Sequence, residues 1–281
     1  MAFWKRNEPL QVGSRFYEID TSTGKIDRDK EPARLSTAFE RNPFMRELPV
    51  ELRAVFQEPE TEKEKDQDQG RISSRERPRQ TELRGQEGGT DIHIILRGCV
   101  AERTQVGGAT TLRILGAGAV LGCMEFFDEK MATPTAVCLS DTWTISVPMD
   151  RMRALAETAP ALMKAIGISV TDRIEATERI YNRHNLKAVE RLAGLLGHLV
   201  MHCAVPGKKY DFRLEGPSQG DLADALGLSI ASVESAMKIL READIVISGY
   251  RSYEFPSLRR LLEASEMAFP PESLAGALAK I

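Results

Sequence analysis

Along this 281-residue chain the apolar positions change period twice. From Asp91 to Pro148 they fall in short runs, IHIILRG, CVAERTQ, TTLRILG, AVLG, TAVCLSD and TWTISVP. Gly-rich turns such as Val106-Gly107-Gly108 and Gly116-Ala117-Gly118 separate them. Short strands at regular spacing predict an all-β sandwich or barrel of jelly-roll type. After Pro148 the period becomes helical. Over residues 160–183, Met163, Ile166, Val170, Ile174 (or Arg173), Thr177 and Tyr181 recur three and four apart on one narrow stripe. With Arg, Asp and Glu flanking it, the stripe suits the seam of a two-helix coiled coil. A helix packed on its own barrel would use the same positions.

Further on, Leu222, Ala223 and Leu226, then Val233, Met237 and Leu240, predict two amphipathic helices. The gap between them is Gly227-Leu228-Ser229. Gly227 can take the positive φ of a sharp turn, and Ser229 can cap the second helix. Past Ala243, IVISGYRSYEF reads as a β-hairpin broken at Ser248-Gly249. Helix, tight turn, helix and hairpin outline a winged helix-turn-helix, whose second helix is the one such folds lay in the DNA major groove. A Gly-linked helix pair also occurs in proteins that never meet DNA.

Upstream, residues 1–34 read as a polar extension with a possible hairpin at Thr23-Gly24. Residues 35–56 read as short helices, with Pro49 suited to a first turn and Leu52, Val55 and Phe56 forming an apolar edge. Residues 57–91 then carry ten acidic and seven basic side chains but no aromatic one. So little apolar surface predicts a mobile insertion, although the RISSRERPR portion could touch phosphates. The expected organisation is an extension at 1–34, a barrel at 35–150 interrupted by that insertion, a dimerisation helix at 151–184, a winged helix-turn-helix at 185–263 and a tail at 264–281. The expected class is α+β.

Composition narrows the function. Hydrophobic residues make up 42% of the chain, enough for real cores. No apolar run is long enough to span a bilayer, and MAFWKRNEPL lacks the apolar core of a signal peptide, so a cytoplasmic location is expected. Cys99, Cys123, Cys138 and Cys203 form no CxxC pair, which points to buried reduced thiols rather than zinc or disulfides. HExxH and GxxxxGK[ST] are missing, so no enzyme is expected.

The order of barrel, long helix and winged helix-turn-helix resembles the Crp/Fnr superfamily of bacterial transcription regulators over roughly Leu35 to Leu262. The segments that carry the likeness are DIHIILRGCVAERT, GAGAVLG and QGDLADALGLSIASVESAMKILREADIV. The resemblance implies a homodimer that binds double-stranded DNA, with RNA polymerase or another regulator as a further partner. In nucleotide-binding members a short helix supplies a Glu for the ribose and an Arg with Ser or Thr for the cyclic phosphate, a buried anion that needs such donors. Here the stretch is GCMEFFDEKMATPTAVC, beginning at Gly122. The Glu position falls on Cys123, and the Arg and Ser positions fall near Thr133 and Pro134. Glu125 is displaced by two residues, and Lys130 is the only base nearby. The family's base-contacting pair matches Thr177 and Glu178. Cyclic nucleotide bound in the usual way is therefore disfavoured, and no cofactor is expected. An N-terminal iron–sulfur cluster lacks its cysteines, and His93 and Cys99 are haem ligands by residue type only.

The resemblance also implies an Arg-Glu-x-x-x-Arg set on the recognition helix, and the matching positions hold Ile230, Ala231 and Ser235. In its place stand Ser229, Ser232, Ser235 and Lys238, with Ile230 and Ala231 able to meet a thymine methyl. Phosphate contacts are expected from Ser218, Gln219, Lys238, Arg241 and Arg251. Residues 185–263 hold ten basic and ten acidic side chains, so DNA affinity is expected to be weak or strongly salt-sensitive. The alternative is a degenerate regulator that acts as a protein-interaction module.

Overall fold

The structure, a computed structural model, describes residues 10–12, 15–17, 39, 42–57, 72–84, 91–106, 109–128, 134–206, 210 and 212–265. The chain divides into two compact units, one of Phe39–Glu178 and one joining Met1–Ala38 to Arg179–Ile281. The hairpin expected at Thr23-Gly24 lies outside the described residues. A different one, β1 (Leu10–Val12) with β2 (Arg15–Tyr17), belongs to the second unit.

The first unit opens with α1 (Pro43–Arg46) and α2 (Val50–Gln57). Asn42 starts α1: its Oδ1 accepts from the amides of Phe44 and Met45, and its Nδ2 donates to the Ile95 carbonyl at 3.0 Å. Eight strands follow in two antiparallel sheets: β3 (Ser73–Arg77), β4 (Glu82–Arg84), β5 (Asp91–Arg97), β6 (Val100–Val106), β7 (Ala109–Leu115), β8 (Val120–Leu121), β9 (Thr135–Cys138) and β10 (Thr142–Pro148). One sheet has the order β3-β10-β5-β8 and the other β4-β9-β6-β7. Between β8 and β9 sits the short helix α3 (Cys123–Phe127).

Alternation along β5 feeds two cores at once. Ile95 points between the sheets with Val100, Leu115, Leu121, Ala136 and Cys138. Ile92, Ile94 and Leu96 point the other way, with Ile145 and Val147 of β10, onto Phe44, Met45, Met152 and Leu162. Each such fully buried aliphatic side chain stabilises by roughly 1.5–3 kcal/mol. Gly98 makes the β5–β6 turn at φ +107°, where a Cβ would lie 2.6 Å from Thr142 Oγ1.

Part of the segment expected to be a mobile insertion is ordered sheet, and this corrects the sequence reading. β3 pairs with β10 in the register Ser146↔Ser73 to Thr142↔Arg77, and β4 pairs with β9. Both are edge strands, where charged residues can alternate toward solvent and still contribute a ladder. Trp143 Nε1 donates to Ser74 Oγ at 2.7 Å across that edge.

A second correction concerns the single long helix expected at 151–184. Two helices occupy it, α4 (Met149–Thr158) and α5 (Pro160–Ala176), and a π-helical turn, Thr177–Tyr181, continues α5. The break falls at Ala159 (φ −127°), before Pro160, which has no N–H to extend a helix and disfavours helical backbone in the residue ahead of it.

In the second unit α6 (Ala188–Cys203) is the central helix, buried through Leu192, Leu195, Leu196, Leu199 and Val200. Then come β11 (Val205–Pro206), β12 (Phe212–Glu215), α7 (Gln219–Leu226), α8 (Ile230–Glu242), β13 (Ile247–Gly249), β14 (Ser252–Phe255) and α9 (Leu258–Ala264). α8 and α9 pack on α6. The wing is wider than the expected hairpin, a four-stranded sheet in the order β11-β12-β14-β13. Its turn falls at Tyr250-Arg251, since Gly249 pairs with Ser252.

Candidate nucleic-acid interface and sensor pocket

The helix pair is assembled by the local chemistry its sequence carries. Ser218 caps α7 in a reciprocal box: its Oγ accepts from the Asp221 amide at 3.1 Å, and its own amide donates to Asp221 Oδ2 at 2.8 Å. Gly227 ends α7 at φ +59°. Ser229 Oγ accepts from the Ser232 amide at 3.1 Å and starts α8. Arg191, buried in α6, donates to the Leu226 carbonyl and so ties the end of α7 to the central helix.

α8 turns Val233, Ala236, Met237 and Leu240 inward. Its outward face presents Ile230, Ala231, Glu234, Ser235, Lys238, Ile239, Arg241 and Glu242. Of the residues expected to face DNA, Ile230, Ala231, Ser235 and Lys238 thus share one surface. Ser229 and Ser232 sit at its start and bond each other, Oγ to Oγ, at 2.8 Å. Lys238 Nζ lies 3.8 Å from Glu242, and Arg241 donates to Ser248 Oγ at 3.3 Å. Gln219 is half-buried at the first position of α7.

Two of the residues expected at phosphates also bond within the protein. Arg251, at φ +49°, donates to the Gly216 carbonyl at 3.0 Å and lies 3.7 Å from Asp221, with its side chain 25% exposed. It straps the wing turn to the start of α7. The Ser218 hydroxyl, besides capping, donates to Asp221 Oδ2 at 2.7 Å. Beneath the wing, burial first and then the negative Asp221 push the Tyr253 phenol up to about 12, with Arg251 opposing.

In the first unit, Gly122 (φ +86°) admits the chain into α3, which begins with the buried Cys123. Pro134 is buried, and Thr133 lies outside the described residues. The charged pair found here has no counterpart among the residues expected at the pocket. Arg173 of α5 forms an ion pair with Glu102 of β6, and also donates to Cys123 Sγ at 3.4 Å and the Val120 carbonyl at 3.3 Å. The side chains are 12% and 2% exposed. Burial alone would depress the Arg173 guanidinium, but Glu102 and Cys123 outweigh it and hold it above the usual range. Burial pushes the Cys123 thiol up, and Arg173 partly opposes the shift. Thr177 donates its hydroxyl to the Arg173 carbonyl at 2.8 Å, and Glu178 is exposed. A sequence signal for Glu102 existed: it falls on the same face of β6 as Val100, a position bound for the core.

The stripe expected as a dimer seam is only partly outward. Ile166 is fully buried and Tyr181 is 8% exposed, whereas Met163 and Ile174 are 38% and 57% exposed. α5 has apolar residues on two sides, and Ile166 joins Leu162 and Ala165 in its own unit's core. Val170 is half-buried, and Gly167 adds no bulk beside it.

All four cysteines are buried and none is in a disulfide, and His93 Nδ1 bonds Ser146 Oγ at 2.8 Å inside the sandwich. Among the described residues no cluster of three metal-ligating side chains occurs, and no helix is long and apolar enough to cross a membrane.

Residues 77–159, from the end of β3 to the end of α4, match the family model of the cyclic nucleotide-binding domain. No curated protein matches the chain. Solved structures do. A CRP-family transcriptional regulator of Thermus thermophilus aligns at 17% identity and TM-score 0.56, over 69% of this chain and 97% of that one. FixK2 from Bradyrhizobium japonicum aligns at 20% and 0.53, over 70% and 99%. The c-di-GMP responsive global regulator CLP of Xanthomonas campestris aligns at 18% and 0.53, over 66% and 94%. At such identities the likeness is one of fold: the chain folds as the CRP/FNR regulators do, with a cyclic-nucleotide-binding-type sandwich and a winged helix-turn-helix.

Proposed function

We propose that this chain is a homodimeric, DNA-binding transcription regulator of the Crp/Fnr type that acts in the cytoplasm and is not governed by cyclic AMP in the usual way. The observation that carries the DNA reading is α8. It is capped at Ser229 and propped by Arg191 through α7, and its outward face of Ile230, Ala231, Ser235 and Lys238 is exposed beside a wing. Dimerisation is supported by Met163 and Ile174, large apolar residues of α5 that are exposed on the single chain.

Against cyclic nucleotide control stands the ion pair at α3. The Arg173 guanidinium bonds Cys123 at the start of that helix, and Glu102 already neutralises it. An entering phosphate would have to displace a buried carboxylate, which costs several kcal/mol per buried charge. The experiment is retention of genomic DNA fragments by the purified protein at two salt concentrations, with and without cyclic AMP. Selective, salt-dependent retention without nucleotide supports the proposal. Retention only with cyclic AMP refutes its second half.

A second reading, a protein-interaction module, draws on Ile230, Ile239 and Ile247, which are 56%, 53% and 43% exposed on α8 and the wing. It gains if the folded dimer retains no DNA at either salt concentration.

A further inference from the structure

We propose that Glu234 is a base-reading residue, a carboxylate that accepts a hydrogen bond from the exocyclic amino group of a cytosine in the major groove. The proposal rests on the DNA reading above and deepens it. In helix-turn-helix proteins it is the N-terminal part of the second helix that meets base edges. The outward residues in the first turns of α8 are Ile230, Ala231, Glu234 and Ser235, and Glu234 is the charged one. It follows Ile230 by one turn and precedes Lys238 by one turn, so the three form a row along the helix.

Its charge is not absorbed locally. Lys238 lies 3.8 Å from Glu242, Arg241 donates to Ser248, and Glu234 has no ion-pair partner among the described residues. A carboxylate brought to DNA is repelled by every phosphate, so α8 docks favourably only where that charge meets a donor. The major groove offers two, the amino groups of cytosine and adenine. Adenine presents its amino group beside the N7 acceptor, a pair suited to an amide that both donates and accepts, whereas a carboxylate only accepts and therefore fits cytosine. Ile230 and Ala231 supply apolar surface for a thymine methyl. The expected half-site thus places a cytosine within a base or two of a thymine.

Glu234 is one of the ten acidic side chains that offset ten basic ones over residues 185–263. A repulsive charge at the reading surface weakens binding to wrong sequences more than to right ones and raises the specificity ratio without raising affinity.

The test is binding-site selection from random duplexes with the full chain, comparing wild type, Glu234→Gln and Glu234→Ala at one fixed salt concentration. The side chain is exposed, so neither variant disturbs the core. Wild type should enrich a cytosine at one position of each half-site, and replacing that base pair should weaken binding about tenfold or more. E234A should lose the preference at that position alone, and E234Q should shift it toward adenine. Unchanged preferences with uniformly tighter binding would overturn the proposal and leave Glu234 as a repulsive charge only. A wild type that enriches no sequence would overturn the DNA reading itself and this proposal with it.

Discussion

Replacing Glu102 with Gln keeps the shape of the side chain and leaves the Arg173 guanidinium buried without its counter-charge. What remains to Arg173 is one carbonyl, that of Val120, and one thiol, that of Cys123, neither of them anionic at neutral pH. Removing one partner of a buried ion pair costs about 3–5 kcal/mol. The 12% exposure of Arg173 lets some water reach it and favours the lower end, about 3 kcal/mol. With a urea slope of ~2 kcal/mol/M, the unfolding midpoint should fall by roughly 1.5 M. Trp143 lies in β10 of the same unit, so its fluorescence in a Trp4→Phe background reports that unit rather than the whole chain. Arg173→Met should also destabilise, and the double variant should be less destabilised than the sum, by about 2 kcal/mol or more. Single effects that add to within about 0.5 kcal/mol would refute the ion pair as a structural unit.

Gly98→Ala and Gly227→Ala should separate sharply. Both glycines have positive φ, but a Cβ at Gly98 meets Thr142 Oγ1 at 2.6 Å, whereas one at Gly227 meets nothing within 4 Å. Calorimetry should show a loss of about 1 kcal/mol for G227A, and for G98A several-fold more or no folded first unit. For the seam, Ile174→Glu should yield a folded monomer by light scattering, while Ile166→Glu, fully buried, should unfold the first unit. A dimeric I174E protein would refute the seam. For pH, burial first, then His202 and Arg179, hold the His198 imidazole well below its usual value. A depressed histidine contributes stability that is present above about pH 6.5 and is lost as the pH falls below it. His198→Gln should therefore flatten the stability of the second unit between about pH 6.5 and 5. At the other extreme, the raised Cys123 and Cys138 thiols and the Tyr253 phenol, at about 12, remain protonated when folded. Stability should fall as pH rises past about 9 and on through 12, measured by alkaline unfolding.

What was legible in the sequence was chemistry that acts within a few residues. Gly227 and Ser229 announce a turn and a helix start, and the structure places a left-handed residue and a cap there. The sandwich strands announced themselves by regular spacing. Illegible features depended on distant partners. Ser73–Arg77 is polar throughout and becomes a strand because β10 offers it an edge. Arg173 and Glu102 stand 71 residues apart, and no local pattern pairs them. Ile166 and Met163 are both apolar and three apart, and periodicity cannot say which meets its own core when a helix is apolar on two sides. Arg251 reads locally as one more basic side chain for a phosphate, and its bonds to the Gly216 carbonyl and toward Asp221 reach 35 and 30 residues back along the chain.

That strap at Arg251 has a thermodynamic consequence. The wing turn, the start of α7 and the Gly216 carbonyl are fixed to one another before any partner arrives, so the ordering entropy of the helix pair and wing is met in folding. Association should then proceed between preformed surfaces, and its heat-capacity change should match the area of the contact alone, without the large excess that accompanies a segment folding as it binds.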